Sequence, residues 1–276
     1  MQDAIDKSTI EGVSPEADFY RFSDGGWEKT SARVPVEMAL TIYVNTQEMV
    51  TVLCTPTKLN CLVLGFLYAE GIISGMKDVA SMRVCEDDRL ADVKLTNPDV
   101  KLPARRTLTS GCGGGATFET SGQKIDSDFT ITPVQVLSLM KQLETRMQLY
   151  RVAGGVHASA LYDAGKLLVV AEDIGRHNTL DKIQGECLLR GLPTADRTLV
   201  STGRVSSEML LKAAKMKVPV VASRTSPTDR AVTLARDLGI SLVGYARGSR
   251  LSVYSHPERL GVQMGKSSSV KVRQTR

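Results

Sequence analysis

One cysteine sits in an unusual setting. Cys112 lies within Thr107-Leu108-Thr109-Ser110-Gly111-Cys112-Gly113-Gly114-Gly115-Ala116, and Arg105-Arg106 lie just upstream. The glycines strip away side chains that could shield the sulfur and let backbone N–H groups turn toward it. Positive charge and N–H donors both favour the thiolate, the nucleophilic form of cysteine. A glycine-rich turn with an incidental cysteine is the plainer reading of the same residues. Of the remaining cysteines, Cys54, Cys61 and Cys187 lie in apolar patterns and read as core, and Cys85 completes the set. No two cysteines have the C-x-x-C spacing of a redox pair or a zinc ribbon, and an odd count of 5 points to reduced thiols.

A second group of reactive types recurs after apolar β-branched runs. Leu167 to Ala171 is followed by Glu172-Asp173-Ile174-Gly175-Arg176-His177-Asn178. Thr198 to Ser201 is followed by Thr202-Gly203-Arg204-Val205-Ser206-Ser207, and Val218 to Ala222 by Ser223-Arg224-Thr225-Ser226-Pro227-Thr228. Ile240 to Gly244 is followed by Tyr245-Ala246-Arg247-Gly248-Ser249-Arg250. Each segment carries arginine, whose planar fork suits phosphate. Solvated loop arginines would give the same pattern one at a time; their recurrence points to one phosphate-rich ligand. There is no G-x-G-x-x-G and no P-loop, so dispersed arginines would hold that ligand. His177 follows Arg176 beside Glu172-Asp173, where either proton transfer or a structural hydrogen bond is open to it. Zinc is not expected, because neither the H-x-E nor the C-x-x-C element of a zinc deaminase is recognised.

These segments need a scaffold. Asn178–Arg190, Ser206–Met216 and Pro227–Leu238 have helical character and alternate with the apolar runs. That β-α-β-α-β order predicts a parallel sheet with helices packed on it, ligands binding outside the carboxyl ends of the strands. Three of the four segments would then lead into helix N-termini, where free N–H groups attract anions. Gly154–Tyr162 and Leu167–Ala171 read as adjacent strands joined at Asp163-Ala164-Gly165. Thr132-Pro133 opens a helix whose apolar stripe runs Val136, Met140, Leu143, Met147, Tyr150, with its methionines as core filler. Further upstream, 34–44 and 49–53 read as strands, 57–71 as a helix, and segments near 80–85 and 90–95 as strands.

Whole-chain properties bound the function. The 276 residues are 42% hydrophobic and 24% charged, an ordinary globular balance. A net charge of +5 is too small to argue for nucleic acid, and 5% aromatics argue against a base-stacking platform. Residues 1–30 are acidic (seven acids, three bases) and residues 263–276 are basic; both are expected to be loosely ordered. No apolar stretch reaches the length of a membrane span, and the acidic N-terminus lacks a basic-then-apolar leader, so a cytoplasmic location is expected.

Gly154-Gly155-Val156-His157-Ala158, Glu172-Asp173-Ile174-Gly175-Arg176-His177-Asn178 with Asp181-Lys182, Ser201-Thr202-Gly203-Arg204, and Tyr254-Ser255-His256-Pro257-Glu258-Arg259 resemble the formate dehydrogenase accessory sulfurtransferase (FdhD) family. The resemblance runs from about residue 33 to about 262. It implies a cytidine-deaminase-like α/β/α sandwich lacking the zinc site, over residues 131–262, with a smaller N-terminal α+β portion over 31–130 that carries the Cys loop. It implies a homodimeric sulfur carrier that accepts a persulfide from a cysteine desulfurase and passes sulfur to bis-molybdopterin guanine dinucleotide, the molybdenum cofactor of formate dehydrogenase. By position, Cys112 matches the persulfide cysteine, and Tyr245, Ala246, Arg247, Gly248, Ser249 and Arg250 match the cofactor-binding segment. Arg204, Arg224, Arg176 and His177 join that segment as candidate cofactor-binding residues. The family usually has C-x-x-C in the loop, and Gly115 stands at the second position. A non-catalytic chaperone for the same cofactor is the rival function. A nucleotide-processing hydrolase of deaminase ancestry is a weaker one, lacking metal ligands.

Overall fold

The computed structural model describes residues 11–100, 102, 106–108 and 124–263. The first half contains β1 (Ala17–Ser23), β2 (Gly26–Ala32), β3 (Met38–Val44), β4 (Gln47–Cys54), α1 (Leu59–Ala69), β5 (Val79–Cys85), β6 (Leu90–Leu95) and β7 (Arg106–Leu108). Strands β3 to β7 form a five-stranded sheet in the order β5-β6-β3-β4-β7. Its centre shows the alternation expected of a sheet with one covered face: Met38, Leu40, Ile42 and Val44 are buried and the residues between them only partly so. Those side chains pack on Leu59, Leu62, Val63, Phe66 and Leu67 of α1.

The second half contains α2 (Pro133–Arg146), α3 (Gln148–Ala153), β8 (His157–Asp163), β9 (Lys166–Asp173), α4 (Arg176–Arg190), β10 (Thr198–Ser201), α5 (Ser207–Lys215), β11 (Val220–Ser223), α6 (Asp229–Leu238), β12 (Ser241–Arg247) and β13 (Arg250–Val253). Strands β8 to β13 form a six-stranded sheet in the order β13-β12-β11-β10-β8-β9. β10, β11 and β12 are parallel, while β8 runs antiparallel to β10, β9 to β8, and β13 to β12. Helices α4, α5 and α6 cover one face through Leu180, Ile183, Met209, Leu210, Ala231 and Ala235. Helix α2 covers the other through Val136, Leu139, Met140 and Leu143. The chain is therefore a mixed α/β fold, and its parallel part follows the predicted β-α-β-α-β order.

The two halves meet where α1 crosses α4. A Cβ placed on Gly65 would lie 1.8 Å from the carbonyl oxygen of Asp181, and one on Gly185 1.8 Å from that of Cys61. Glycine at both positions brings the two helix backbones into direct contact, so α1 is sandwiched between its own sheet and α4. This explains why α1 is buried on nearly every side rather than along one stripe.

Three expectations need correction. Residues 17–30, read as part of a loosely ordered acidic tail, lie in the β1–β2 hairpin, with Ala17 opposite Ala32 and Ser23 opposite Gly26. Its acidic residues hid strand-forming aromatics and a glycine turn at Asp24-Gly25-Gly26. The stripe extended to Tyr150 breaks at Met147, where ψ is 84°, so α3 starts afresh and Tyr150 is 47% exposed. Strand β9 runs on to Asp173 and α4 begins at Arg176, so Arg176 and His177 belong to a helix's first turn instead of a long loop.

Candidate functional site: the carboxyl edge of the six-stranded sheet

β10, β11 and β12 all end on one edge of the sheet. Antiparallel pairing puts the start of β8 and the end of β9 on the same edge, His157 facing Asp173 across the ladder. Main-chain bonds stitch the following segments together: Arg224 N–H to Ser201 C=O at 3.0 Å, Thr225 C=O from Tyr245 N–H at 3.0 Å, and Val205 C=O from Thr228 N–H at 2.9 Å. Ser206 and Thr228 cap α5 and α6, each accepting a backbone N–H from the first turn.

Gly203 is held from both sides. Its N–H reaches Ser201 Oγ at 3.2 Å and its carbonyl accepts from Ser223 Oγ at 2.6 Å. Ser201 is in turn held by Ser159 Oγ at 2.9 Å, which shares a 2.7 Å bond with Thr179. This buried hydroxyl chain fixes the strand ends beneath the edge. A Cβ on Gly203 would lie 3.0 Å from Arg176 Cβ and 3.3 Å from His157 Nδ1, so both side chains crowd against this glycine.

His177 is buried beside them. Its Nε2 lies 3.1 Å from Ser206 Oγ and 3.6 Å from Glu208 Oε2. Burial, followed by the charges of Lys212 and Arg176, pushes the imidazole down to about 3, so it is neutral at physiological pH. Glu172 and Asp173 do not serve it in proton transfer. Glu172 accepts the N–H groups of Leu149 and Tyr150, both at 2.9 Å, at the start of α3. Asp173 forms a fully buried ion pair with Lys182 at 2.6 Å and accepts from Gly175 N–H and Asn178 Nδ2, both at 2.8 Å. The acidic half of this motif thus builds the scaffold, while Arg176 packs against the Gly203 position.

Tyr245 to Arg250 is a β-hairpin, not an open loop. β12 bulges between Gly244 and Arg247, and Arg247 pairs with Arg250 around a turn that Gly248 opens at φ 59°. Arg247 lies 5.9 Å from the centre of the Tyr245 ring. Ala246 is fully buried and joins the core under α2, which leaves only its main chain for a ligand. Arg204, Arg247, Ser249 and Arg250 are exposed. Arg224 is drawn toward α2 by Glu144, at 3.6 Å. The expected residues therefore fall in two groups: Arg176, His177 and Arg204 around Gly203, and Tyr245, Arg247 and Arg250 on the hairpin. His157 was missed as a site residue, although the β8–β9 turn required β8 to begin on this edge.

Cys112 and its glycines lie outside the described residues. The strand before them, β7, runs parallel to β4, with Leu108 opposite Val52. Thr55, just past β4, gives its N–H to Asp173 Oδ2 at 3.1 Å. β7 thus runs toward the side of the charged edge. Cys54, Cys61 and Cys187 are buried, as expected. Burial pushes the thiols of Cys54 and Cys187 up to about 12 and raises that of Cys61.

His256-Pro257-Glu258 does spell H-x-E, but its side chains bond elsewhere. His256 Nδ1 meets Glu258 at 3.0 Å and Nε2 meets the Arg236 carbonyl at 3.0 Å. Among the described residues, no group of three or more His, Cys, Asp or Glu could hold a metal ion, and no helix is long and apolar enough to cross a membrane. A cavity of about 170 Å³ lies at the opposite edge, lined by Phe129, Ile131, Gln135, Gln142, Gly165 and Thr198, without a charged side chain.

The fold and its site are those of a mixed α/β protein that places Arg176, Arg204, Arg247 and Arg250 at the carboxyl edge of a partly parallel sheet. The chain belongs to the FdhD/NarQ family, whose sequence pattern matches residues 35–261. It is 38% identical over 256 residues to the sulfur carrier protein FdhD of Bacillus subtilis (strain 168), covering 90% of this chain and 98% of the relative. It is 39% identical over 253 residues to that of Staphylococcus aureus (strain JH9), covering 87% and 94%. The crystal structure of a formate dehydrogenase accessory protein from Desulfotalea psychrophila superimposes with a TM-score of 0.76 at 27% identity, covering 90% of this chain and 99% of that one.

Proposed function

We propose that this chain is a sulfur carrier in the maturation of formate dehydrogenase. Its substrate, bis-molybdopterin guanine dinucleotide, binds along the carboxyl edge of the six-stranded sheet. The observation that carries this reading is the gathering of Arg176, Arg204, Arg247 and Arg250 on one sheet edge, in a chain whose relatives are named sulfur carriers. Phosphates of the dinucleotide would meet arginine forks and free N–H groups at the starts of α4, α5 and α6. The strand order and the two helical layers support a deaminase-like core. A homodimer in the cytoplasm is part of the same reading.

Cys112 is the proposed carrier atom. Its thiolate attacks the outer sulfur of a desulfurase persulfide; a new S–S bond forms, the old one breaks, and the desulfurase thiolate leaves. Cys112 follows Leu108 by four residue steps, at most ~14 Å of extended chain, which supports a sulfur within reach of the edge. Delivering that sulfur to a metal as sulfide consumes two electrons. A second loop cysteine could give them by closing a disulfide, but Gly115 stands there, so a thiol from outside the loop must supply them. The same glycine favours the second reading, a cofactor-binding chaperone without sulfur transfer.

The test is peptide mass spectrometry after incubation with a cysteine desulfurase and cysteine. The carrier reading expects the mass of one sulfur atom on the Cys112 peptide, removable by a reducing thiol. An unmodified Cys112 in a protein that still binds guanine nucleotide supports the chaperone instead.

A further inference from the structure

We propose that His157 is a phosphate-contacting residue of the charged edge, and that an anion binding there brings a proton onto its imidazole. The inference rests on the phosphate-site reading above and adds to it one residue and one proton.

The position of His157 follows from strand direction. It is the first residue of β8, opposite Asp173 of β9 and beside the end of β10. Its Nδ1 lies 3.3 Å from where a Cβ on Gly203 would sit, and Arg176 Cβ lies 3.0 Å from the same point. The imidazole is therefore seated between a strand-end loop and an arginine. The ring is half-buried, and among the described residues neither ring nitrogen has a hydrogen-bond partner. His177 differs, since its Nε2 is committed to Ser206.

The charges around His157 come from two elements. α4 contributes Arg176, together with the neutral His177, and β9 contributes Asp173, whose charge Lys182 already meets. Burial first, and Arg176 second, hold the imidazole below its ordinary range, so it is neutral in the free protein. A phosphate seated between Arg176 and His157 reverses both effects. Attraction replaces repulsion, and a charge-assisted hydrogen bond replaces lost hydration. The unprotonated ring nitrogen then takes a proton from solvent. By linkage the anion strengthens proton binding by the same factor as the proton strengthens anion binding.

The experiment uses diguanosine pyrophosphate, whose phosphates carry no proton that titrates near neutrality. Calorimetry between pH 6.5 and 8.5, in two buffers of different ionisation heat, counts protons taken up per ligand bound. The expected result is net uptake near neutral pH, with affinity falling about three- to tenfold across that range as linkage requires. His157→Gln keeps a hydrogen-bond donor but cannot titrate, and should bind with no uptake and little pH dependence. Binding without proton uptake, or uptake that survives in His157→Gln, overturns the inference while leaving the phosphate site standing. No binding to the wild-type protein overturns both. Should the variant misfold, NMR titration of the wild-type histidine rings decides: one midpoint rising with ligand supports the proposal, and unmoved midpoints reject it.

Discussion

Lys182 Nζ lies 2.6 Å from Asp173 Oδ2, and both side chains are wholly excluded from water. The pair also ties the two halves together. Lys182 donates to the Thr55 carbonyl at 3.0 Å and the Thr57 hydroxyl at 2.9 Å, while Asp173 accepts the Thr55 N–H. Removing one partner leaves a buried charge uncompensated, which typically costs ~3–5 kcal/mol. Asp173→Asn and Lys182→Met should each lower the unfolding free energy by about that much, read from urea denaturation. The double variant should lose much less than the sum. Single variants within 1 kcal/mol of wild type would contradict this role, a threshold set at about the error of such extrapolations.

The crossing of α1 and α4 yields a second prediction. Alanine at Gly65 or Gly185 places a methyl group 1.8 Å from a facing backbone oxygen. No side chain can move aside to relieve that clash, so the helices must part. The loss should reach or exceed the ~1–3 kcal/mol usual for overpacking. Gly75→Ala is the control, because nothing lies within 4 Å of a Cβ there and its φ of 176° is extended backbone. Equal midpoints for all three alanine variants in denaturant would refute the contact.

That junction also marks how far the residues alone could lead. The β-α-β-α-β order from β10 to β12 was legible, because Gly191, Ser206, Thr228 and Gly239 punctuate strong periodic runs. The arginine-bearing strand ends followed from it. Nothing local could announce that Gly65 faces Asp181, since close approach between distant helices leaves no periodic trace. The same holds for Asp173, whose partners Thr55 and Lys182 converge only in three dimensions. The β1–β2 hairpin was hidden for another reason: acidic composition outweighed the strand-forming Phe19, Tyr20, Phe22 and Trp27 and the glycine turn between them.

His177 gives a pH prediction. Its imidazole is pushed from the ordinary 6.5 to about 3 by burial. In the unfolded chain it takes a proton as pH falls through 6.5, while the folded form resists until about 3. The unfolded state then binds more protons, so folding stability falls as pH drops through that window and is fully present above it. The slope due to this residue is at most ~1.4 kcal/mol per pH unit. Urea unfolding between pH 4.5 and 7.5 should be flatter for His177→Gln than for wild type. Parallel profiles would mean that the folded imidazole titrates freely.

The hairpin arginines test the ligand edge. Arg247 and Arg250 face each other across a two-residue turn and are both exposed, so replacing them should leave the fold intact. Arg247→Ala/Arg250→Ala should weaken GDP binding by about tenfold or more, since a charge-assisted hydrogen bond contributes ~1.5–3 kcal/mol. It should also flatten the salt dependence, because fewer exposed charges remain to be screened. Unchanged affinity in calorimetry would move the phosphates off this hairpin.

Cys112 separates the two functional readings. Cys54 and Cys187 are held near 12 by burial, so their thiolates are scarce at neutral pH. Limited alkylation of the native protein should therefore label Cys112 before either of them, as its glycine neighbours and Arg105-Arg106 favour the thiolate. Cys112→Ala should abolish persulfide formation yet keep GDP affinity within about threefold, a change of only ~0.7 kcal/mol. The decisive measurement is formate dehydrogenase activity in cells that carry Cys112→Ala as their only copy. Lost activity with retained nucleotide binding assigns the sulfur to Cys112. Full activity would mean that the charged edge alone suffices, and that a chain with Gly115 at the second loop position escorts the cofactor without sulfurating it.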